Sequence, residues 1–427
     1  MTRPMVAGWR CLVCAATVDI AQPLTWRCPN STDGDRHHEL ELVSAAAALT
    51  YIDDDNPFVS FRPHLAWDAF AAALGLTEAA REALLVDLDE RIAAVAGTGF
   101  RITPFARHGA LSSALGFAAD GGVWVKNETG NVGGSHKARH LFTILAHLAA
   151  VESTHRQPWE TRPPLAIASC GNAAIAASTL AAAVQWPIRV FVPEWAGGVV
   201  IRTLADLGAT VVTCPRLAAD PPGDPCVFRF REAVAAGAVP FSVQGPENAW
   251  CLDGGRTIGW EMATQLGETV LDRVVVQVGA GALAAGVAGG LTMGGQDLVL
   301  HAMQTDACAP LERAWRRLGD VSTAGRRWAE TMWPWEDVGQ TAADGIVDDE
   351  TYDWLPVVTA MAASGGDPVV SAESEVLRAW QLVRDVCGIN SSATGSAGLA
   401  GLLTLRAAGA VADTERVAVV VSGVQRA

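Results

Sequence analysis

The stretch VKNETGNVGGSHKARH, residues 125–140, holds both lysines of a 427-residue chain; every other member of its 31 lysines and arginines is an arginine. Arginine stays protonated at any pH a protein survives, whereas a desolvated lysine can lose its proton and act as a nucleophile. A chain that meets its need for positive charge with arginine and keeps Lys126 and Lys137 marks these two for other work. For Lys126 that work is an ion pair with Glu128 or a neighbouring carboxylate; for Lys137 it is amine chemistry. GVWVKNE (122–128) reads as a strand. HKARHLFTILAHLAAV (136–151) reads as a helix with Leu141, Ile144, Leu145 and Leu148 on one face, so Lys137 stands where a glycine-rich turn enters a helix.

The same alternation continues outward. PLAIAS (164–169) precedes AAIAASTLAAAV, IRVFVP (188–193) precedes VVIRTLADLG, ATVVTC (209–214) precedes VFRFREAVAAG, and DRVVVQV (272–278) precedes GALAAGVAGGL; RVAVVVSG (416–423) closes the chain. Short β-branched runs alternating with helical periods define an α/β protein with mostly parallel sheets covered on both faces. In such sheets ligands bind at the carboxyl ends of strands. Three turns there are unusually small or polar: GNVGGSHK (130–137), SCGNAA (169–174) and VGAGALAAG (278–286).

Half of the residues are hydrophobic and 18% are charged, with a formal net charge of -15. That balance supplies a large core and argues against nucleic acid or an anionic membrane as partner, because both reward a basic face. A small-molecule substrate is the expectation. No apolar leader follows the first residues, and the longest apolar run, from Val274, is interrupted by Gln277 and rich in glycine, as a core strand and helix would be. Nine cysteines, an odd number, suit reduced thiols in the cytoplasm.

Residues 1–48 form a separate segment. Cys11 and Cys14 make a CxxC pair, and Cys28 and His38 follow at distances that suit a tetrahedral zinc site of three thiolates and one imidazole. A second CxxC is missing, so a ribbon that keeps the fold without metal is the alternative, and His37 competes with His38. YIDDDNPFVSFRP (51–63), acidic and broken by proline, reads as a linker; AREALLVDLDERIAAVAG (80–97) reads as a helix.

The glycine turn VGAGALAAG admits two ligand readings. Its open backbone ahead of a helix can meet a phosphate, and Gly279, Gly281 and Ala284 with Asp306 also match a dinucleotide fingerprint. Close helix-to-strand packing is a third, structural reading of the turn; a nicotinamide-dependent dehydrogenase would leave Lys137 unexplained, and a non-catalytic zinc or ligand-binding protein is the remaining alternative.

Taken together, the three turns resemble the fold-type II pyridoxal-phosphate enzymes, the tryptophan synthase β superfamily, from TPF at Thr103 to the end of the chain. VKNETGNVGGSHKAR resembles the family's K-x-E and G-S-x-K-x-R strings, SCGNAAIAAS its S-x-G-N segment, and VGAGALAAG its phosphate loop. Within the threonine-synthase and serine/threonine-dehydratase-like relatives, HAMQTDACAPL, ADGIVDDETYDW and VVVVSG are similar to strings of the threonine-synthase branch, which often carries an N-terminal cysteine-bearing segment. The resemblance implies two open, doubly wound, mostly parallel sheets. The large cofactor domain would comprise residues 49–160 and 245–427, the smaller α/β domain residues 161–244. A homodimer is implied as well.

The resemblance also assigns roles. Lys137 is the Schiff-base lysine; a free lysine has a pKa of about 10.4, which an apolar pocket must lower before the amine can attack an aldehyde and serve as base. Gly279, Ala280, Gly281, Ala282 and Leu283 hold the cofactor phosphate. Asn172 meets the cofactor's ring oxygen, and Ser169, Cys170, Gly171 and Asn172 hold the substrate carboxylate, with a plain turn as the alternative. Ser422 faces the pyridine nitrogen; a hydroxyl there cannot force ring protonation as a carboxylate would, which favours loss of a β substituent over transamination. Ser135 touches the phosphate or the departing group, or caps the helix; His136 lies against the cofactor or is structural; Arg139 is a salt-bridge partner.

Ala280 and Ala282 replace frequent glycines, Cys170 replaces a common serine, and VCGINSSATGSAG lacks an acidic residue many relatives have. The expected activity is therefore α,β-elimination or β-replacement on an amino acid left unspecified. A threonine-synthase-like reaction on a phosphohomoserine-type substrate is the alternative.

Overall fold

The computed structural model describes residues 5–45, 48–154 and 159–426. The chain forms two compact units: one comprises residues up to Ile102, Asn131–Gly133 and Lys137–Thr257, the other Thr103–Gly130, Gly134–His136 and residues from Ile258 on. The four-stranded sheet belongs to the first of these units and the six-stranded sheet to the second.

The first unit opens with a three-stranded antiparallel sheet in the order β2-β1-β3, from β1 (Val6–Cys11), β2 (Thr17–Asp19) and β3 (Leu40–Ser44). Its larger sheet comes from β6 (Leu165–Ala168), β7 (Ile188–Val192), β8 (Thr210–Thr213) and β9 (Val239–Pro240), all parallel, in the order β8-β7-β6-β9. The chain steps outward from β6 through β7 to β8 and then returns to the other side of β6. The crevice between β6 and β9 is therefore a topological switch point, and the turn Ser169–Asn172 leaves β6 there.

The second half of the segment expected as a linker is packed into the fold instead. Phe58, Val59, Ser60, Phe61 and Arg62 are buried, and Phe58 packs edge-on against Phe100 and tilted against Phe142. Pro57 starts a short helix instead of breaking one, because Asn56 Oδ1 accepts the Phe58 N–H at 2.9 Å, and proline is tolerated where the first-turn amide needs no partner. Arg62, pointed inward, donates to Asp68 and Glu78.

The second unit is built on one six-stranded sheet: β4 (Phe105–Arg107), β5 (Gly122–Asn127), β10 (Arg273–Gln277), β11 (Val299–Thr305), β12 (Pro368–Ser371) and β13 (Arg416–Val421), in the order β12-β11-β10-β13-β5-β4. Only β4, at the edge, is antiparallel. Val123, Val275, Val417 and Val419 pack with Ala397, Ala400 and Leu402 of the helix Ala393–Ala407, the continuous apolar runs that a sheet covered on both faces requires. Here the chain steps from β10 to β11 and β12 and then jumps back to β13, so the switch point lies between β10 and β13. Among the described residues no helix is long and apolar enough to cross a membrane.

Candidate active site

Two expected cofactor elements of the second unit emerge at this switch point. The loop from Gly279 follows β10, Ser422 follows β13, and the two strands pair in parallel with Val275 opposite Val419. Gly281 is the N-cap of the helix Ala282–Met293, with φ +106° and no side chain capping the helix. The first amides of a twelve-residue helix then point along its positive end, an arrangement that suits a phosphate. A Cβ at 281 would lie 3.0 Å from the carbonyl oxygen of Asp353. Ala280 and Ala282 are not among the described non-glycine residues with positive φ, so alanine at these places leaves the backbone unstrained. Ala280, Ala282 and Leu283 are buried, and the Ala280 carbonyl accepts the Asp353 N–H at 2.7 Å.

Ser422 and His136 are held together. The Ser422 hydroxyl oxygen accepts the His136 backbone N–H at 3.0 Å and lies 2.6 Å from His136 Nδ1. One step away, the Gly134 carbonyl accepts the Val424 N–H at 3.0 Å. Gly134 has φ +69°, and a Cβ there would meet the Val424 side chain at 2.6 Å, so only glycine allows this approach. The residue preceding Lys137 is thereby fastened to the end of β13. Sequence reading placed His136 and Ser422 in the cofactor set separately; 286 positions apart, they carry no local signal of their contact.

Lys126 belongs to a different structure. Its ammonium pairs with Glu261 and donates to the Thr103 carbonyl at 2.7 Å. Thr103 in turn donates its hydroxyl to Glu128, and its amide to Glu261 at 2.9 Å. Lys126, Glu128 and Glu261 are completely buried. The preserved lysine is thus one half of a buried ion pair that ties β5 to the helix Cys251–Leu266.

In the first unit Lys137 is the first residue of the helix Lys137–Ser153 and is half-buried, while Ser135 is buried in the other unit's share of the chain. The Arg139 guanidinium is buried and donates to Thr257 Oγ1 at 3.0 Å and to the Arg101 carbonyl at 3.3 Å. Ser169 donates its amide to the Phe191 carbonyl at 3.1 Å, and Gly171 is the N-cap of the helix Asn172–Ala183. No side chain caps this helix either, and Ser169, Cys170, Gly171 and Asn172 are all half-buried. An uncapped helix start at the end of a parallel strand suits a carboxylate as the other suits a phosphate.

Cys11, Cys14, Cys28 and His38 converge, their ligand atoms all within 4.8 Å of one another. His38, not His37, is the histidine of the group. Burial works against it, yet N–H donors from Ala16 and Asn30 hold the Cys14 thiol down to about 6, while burial pushes Cys28 up to about 12. The signal missed by spacing alone was Asp35, whose carboxylate lies 3.6 Å from His38 Nε2.

The family described as "Pyridoxal-phosphate dependent enzyme" matches residues 97–423, and the chain belongs to it. Its cofactor is pyridoxal phosphate. Similar solved structures include a serine racemase from maize (TM-score 0.62, 16% identity, 81% of this chain and 93% of that one). The processed form of threonine deaminase isoform 2 from Solanum lycopersicum is similar at TM-score 0.61 and 18% identity, over 82% of this chain and 91% of that one. Diaminopropionate ammonia lyase from Escherichia coli is similar at TM-score 0.62 and 17% identity, over 81% and 88%. At these identities the likeness is one of fold. No curated protein sequence matches significantly.

Proposed function

We propose that the protein eliminates or replaces the β substituent of a small amino acid, with Lys137 as the residue that carries the cofactor. The bound pyridoxal phosphate supplies an electron-withdrawing ring that stabilises negative charge at the substrate's α carbon. Lys137 Nζ takes the α proton, and Ser135 Oγ serves the departing group or the phosphate. The amides that open the helix Asn172–Ala183 receive the substrate carboxylate, beside Ser169, Cys170 and Gly171, and Asn172 meets the cofactor's ring oxygen. Gly279, Ala280, Gly281, Ala282 and Leu283 receive the phosphate.

The observation that carries the reaction type is Ser422, a neutral hydroxyl at the end of β13 engaged by His136. A hydroxyl leaves the ring nitrogen less protonated than a carboxylate would. With the cofactor bound, that would favour loss of a β substituent over transamination. The racemase and ammonia-lyase names among similar structures support amino-acid chemistry while leaving this choice open.

The test has two stages. Borohydride reduction of the yellow protein fixes the cofactor's mass on the peptide containing Lys137, and Lys137→Ala abolishes both colour and label. A panel of amino acids is then assayed for ammonia and oxo acid, for exchange of the β substituent and for the opposite enantiomer, with phosphohomoserine tested for release of phosphate and threonine. Inverted configuration without elimination or exchange overturns the reaction type, and phosphate release with threonine supports the threonine-synthase alternative.

A further inference from the structure

The N-terminal cluster gathers its four ligand atoms within 4.8 Å of one another, and two of its edges have the length a tetrahedral metal site sets. Zinc–sulfur bonds of about 2.3 Å and a zinc–nitrogen bond of about 2.0 Å set sulfur–sulfur edges of about 3.8 Å and sulfur–nitrogen edges of about 3.5 Å. Cys14 Sγ lies 3.5 Å from Cys28 Sγ, and Cys11 Sγ lies 3.4 Å from His38 Nδ1. N–H groups are directed at all three sulfurs: Val13 N–H points to Cys11 Sγ and Asn30 N–H to Cys28 Sγ, each at 3.4 Å, and the Asn30 side-chain amide reaches Cys14 Sγ at 3.3 Å. His38 presents Nδ1 to the cluster, and its Nε2 faces outward with the Asp35 carboxylate 3.6 Å away, on the side where a ligand histidine's outer partner stands.

Of the described non-glycine residues with positive φ, two of three lie here, Ala15 at +59° and Leu24 at +56°. Such conformations persist only where the surroundings hold them. Leu24 is held from both sides. On one side Cys28 anchors the segment to the cluster. On the other its N–H donates to His147 Nε2 at 3.1 Å, the Thr25 carbonyl accepts Trp250 Nε1–H at 2.8 Å, and the Trp26 carbonyl accepts the Ala249 N–H at 2.9 Å. Trp26 stands edge-on to His147, His147 stacks on Trp250 at 4.1 Å, and Trp9, two residues before Cys11, meets Trp250 at 5.2 Å. His147 lies on the helix that begins with Lys137.

We propose that Cys11, Cys14, Cys28 and His38 bind a single zinc ion, which clamps residues 24–26 onto His147 of the Lys137–Ser153 helix and onto Trp250. The ion joins the end of β1 to Cys28 and so closes a loop that ends on the packed segment, residues 24–26 lying just before Cys28. Removing it frees a backbone that Leu24 holds in an unfavourable conformation.

Metal analysis of the reduced full-length protein is expected to find about one zinc per chain, lost in Cys14→Ser and His38→Ala and kept in His37→Ala. Stripping wild type with a thiol-reactive mercurial and a chelator is expected to shift tryptophan emission to longer wavelength and to open residues 12–37 to protease, both reversed by zinc. Trp26→Phe is expected to bind zinc and show a smaller emission change. Reduced protein without zinc, iron in its place, or a Cys14–Cys28 disulfide overturns the site. Zinc whose removal leaves emission and proteolysis unchanged overturns the clamp.

Discussion

His136 Nδ1 lies 2.6 Å from Ser422 Oγ, and the same oxygen accepts the His136 backbone amide at 3.0 Å. Both residues are buried. If Nδ1 carries the imidazole proton, Ser422 accepts twice and its own proton is left to donate elsewhere; if Nδ1 is bare, Ser422 spends its proton on the imidazole. Ser422→Ala removes the acceptor of a buried amide, and a cost of about 1–3 kcal/mol is expected, measured as the difference in urea unfolding free energy. Ser422→Asp is expected to retain the yellow colour, lower elimination and raise transamination, measured as the ratio of ammonia to the cofactor's amine form. An unchanged ratio would count against the role given to the hydroxyl.

The second prediction concerns Lys126. Its ammonium and the Glu261 carboxylate are completely buried, and breaking such a pair leaves a charge without its counterion in low dielectric. Lys126→Met is expected to cost about 3–5 kcal/mol, and the double replacement by Met at Lys126 and Glu261 to cost less than the single one. Urea midpoints of wild type, both single variants and the double variant measure the coupling. Additive effects would mean the two groups act separately.

The contrast between the two lysines shows what the sequence could disclose. Period and turn composition marked β5, the Lys137 helix and the glycine loop, because a strand that ends in small residues before a helix is a local pattern. The four metal-ligand candidates were legible for the same reason, except that two adjacent histidines required the fold to choose between them. Contacts across long separations were not legible. Glu261 meets Lys126 135 positions away, and Ser422 meets His136 only because β13 lies beside β5. The buried turn around Phe58 was hidden by its composition, since acids and prolines read as a linker until Asn56 is seen to cap the helix.

A third prediction follows from Gly281, with φ +106° and a carbonyl oxygen 3.0 Å from where a Cβ would stand. Gly281→Ala strains the turn by about 1–2 kcal/mol. It also displaces the amides proposed to hold phosphate. Cofactor affinity is expected to fall at least about tenfold, the factor that 1.4 kcal/mol represents, measured by titrating the apoprotein and following visible absorbance. Ala282→Gly, at a place without positive φ, is expected to leave affinity nearly unchanged.

The last prediction concerns acid stability. Burial pushes His147 down to about 3, and its Nε2 accepts the Leu24 amide, so the folded chain keeps the ring neutral. Above pH 6.5 the folded and unfolded chains are both neutral at this residue, and it contributes no pH dependence. Between about 6.5 and 3 the unfolded chain takes up a proton that the folded chain refuses, so stability falls by about 1.4 kcal/mol per pH unit. His147→Gln offers the Leu24 amide an oxygen and has nothing to protonate. Its stability at pH 7 is expected to be lower than that of wild type, because the aromatic stack with Trp250 and Phe70 is lost. Between pH 6.5 and 5, however, it is expected to lose about 1.7 kcal/mol less than wild type does, because the unfolded histidine is already half protonated at 6.5. His37, His64 and His301, also held down by burial, are common to both proteins and cancel in the comparison. Urea unfolding at pH 6.5, 5.75 and 5 measures the two slopes, and parallel slopes would mean that His147 takes its proton in the folded state.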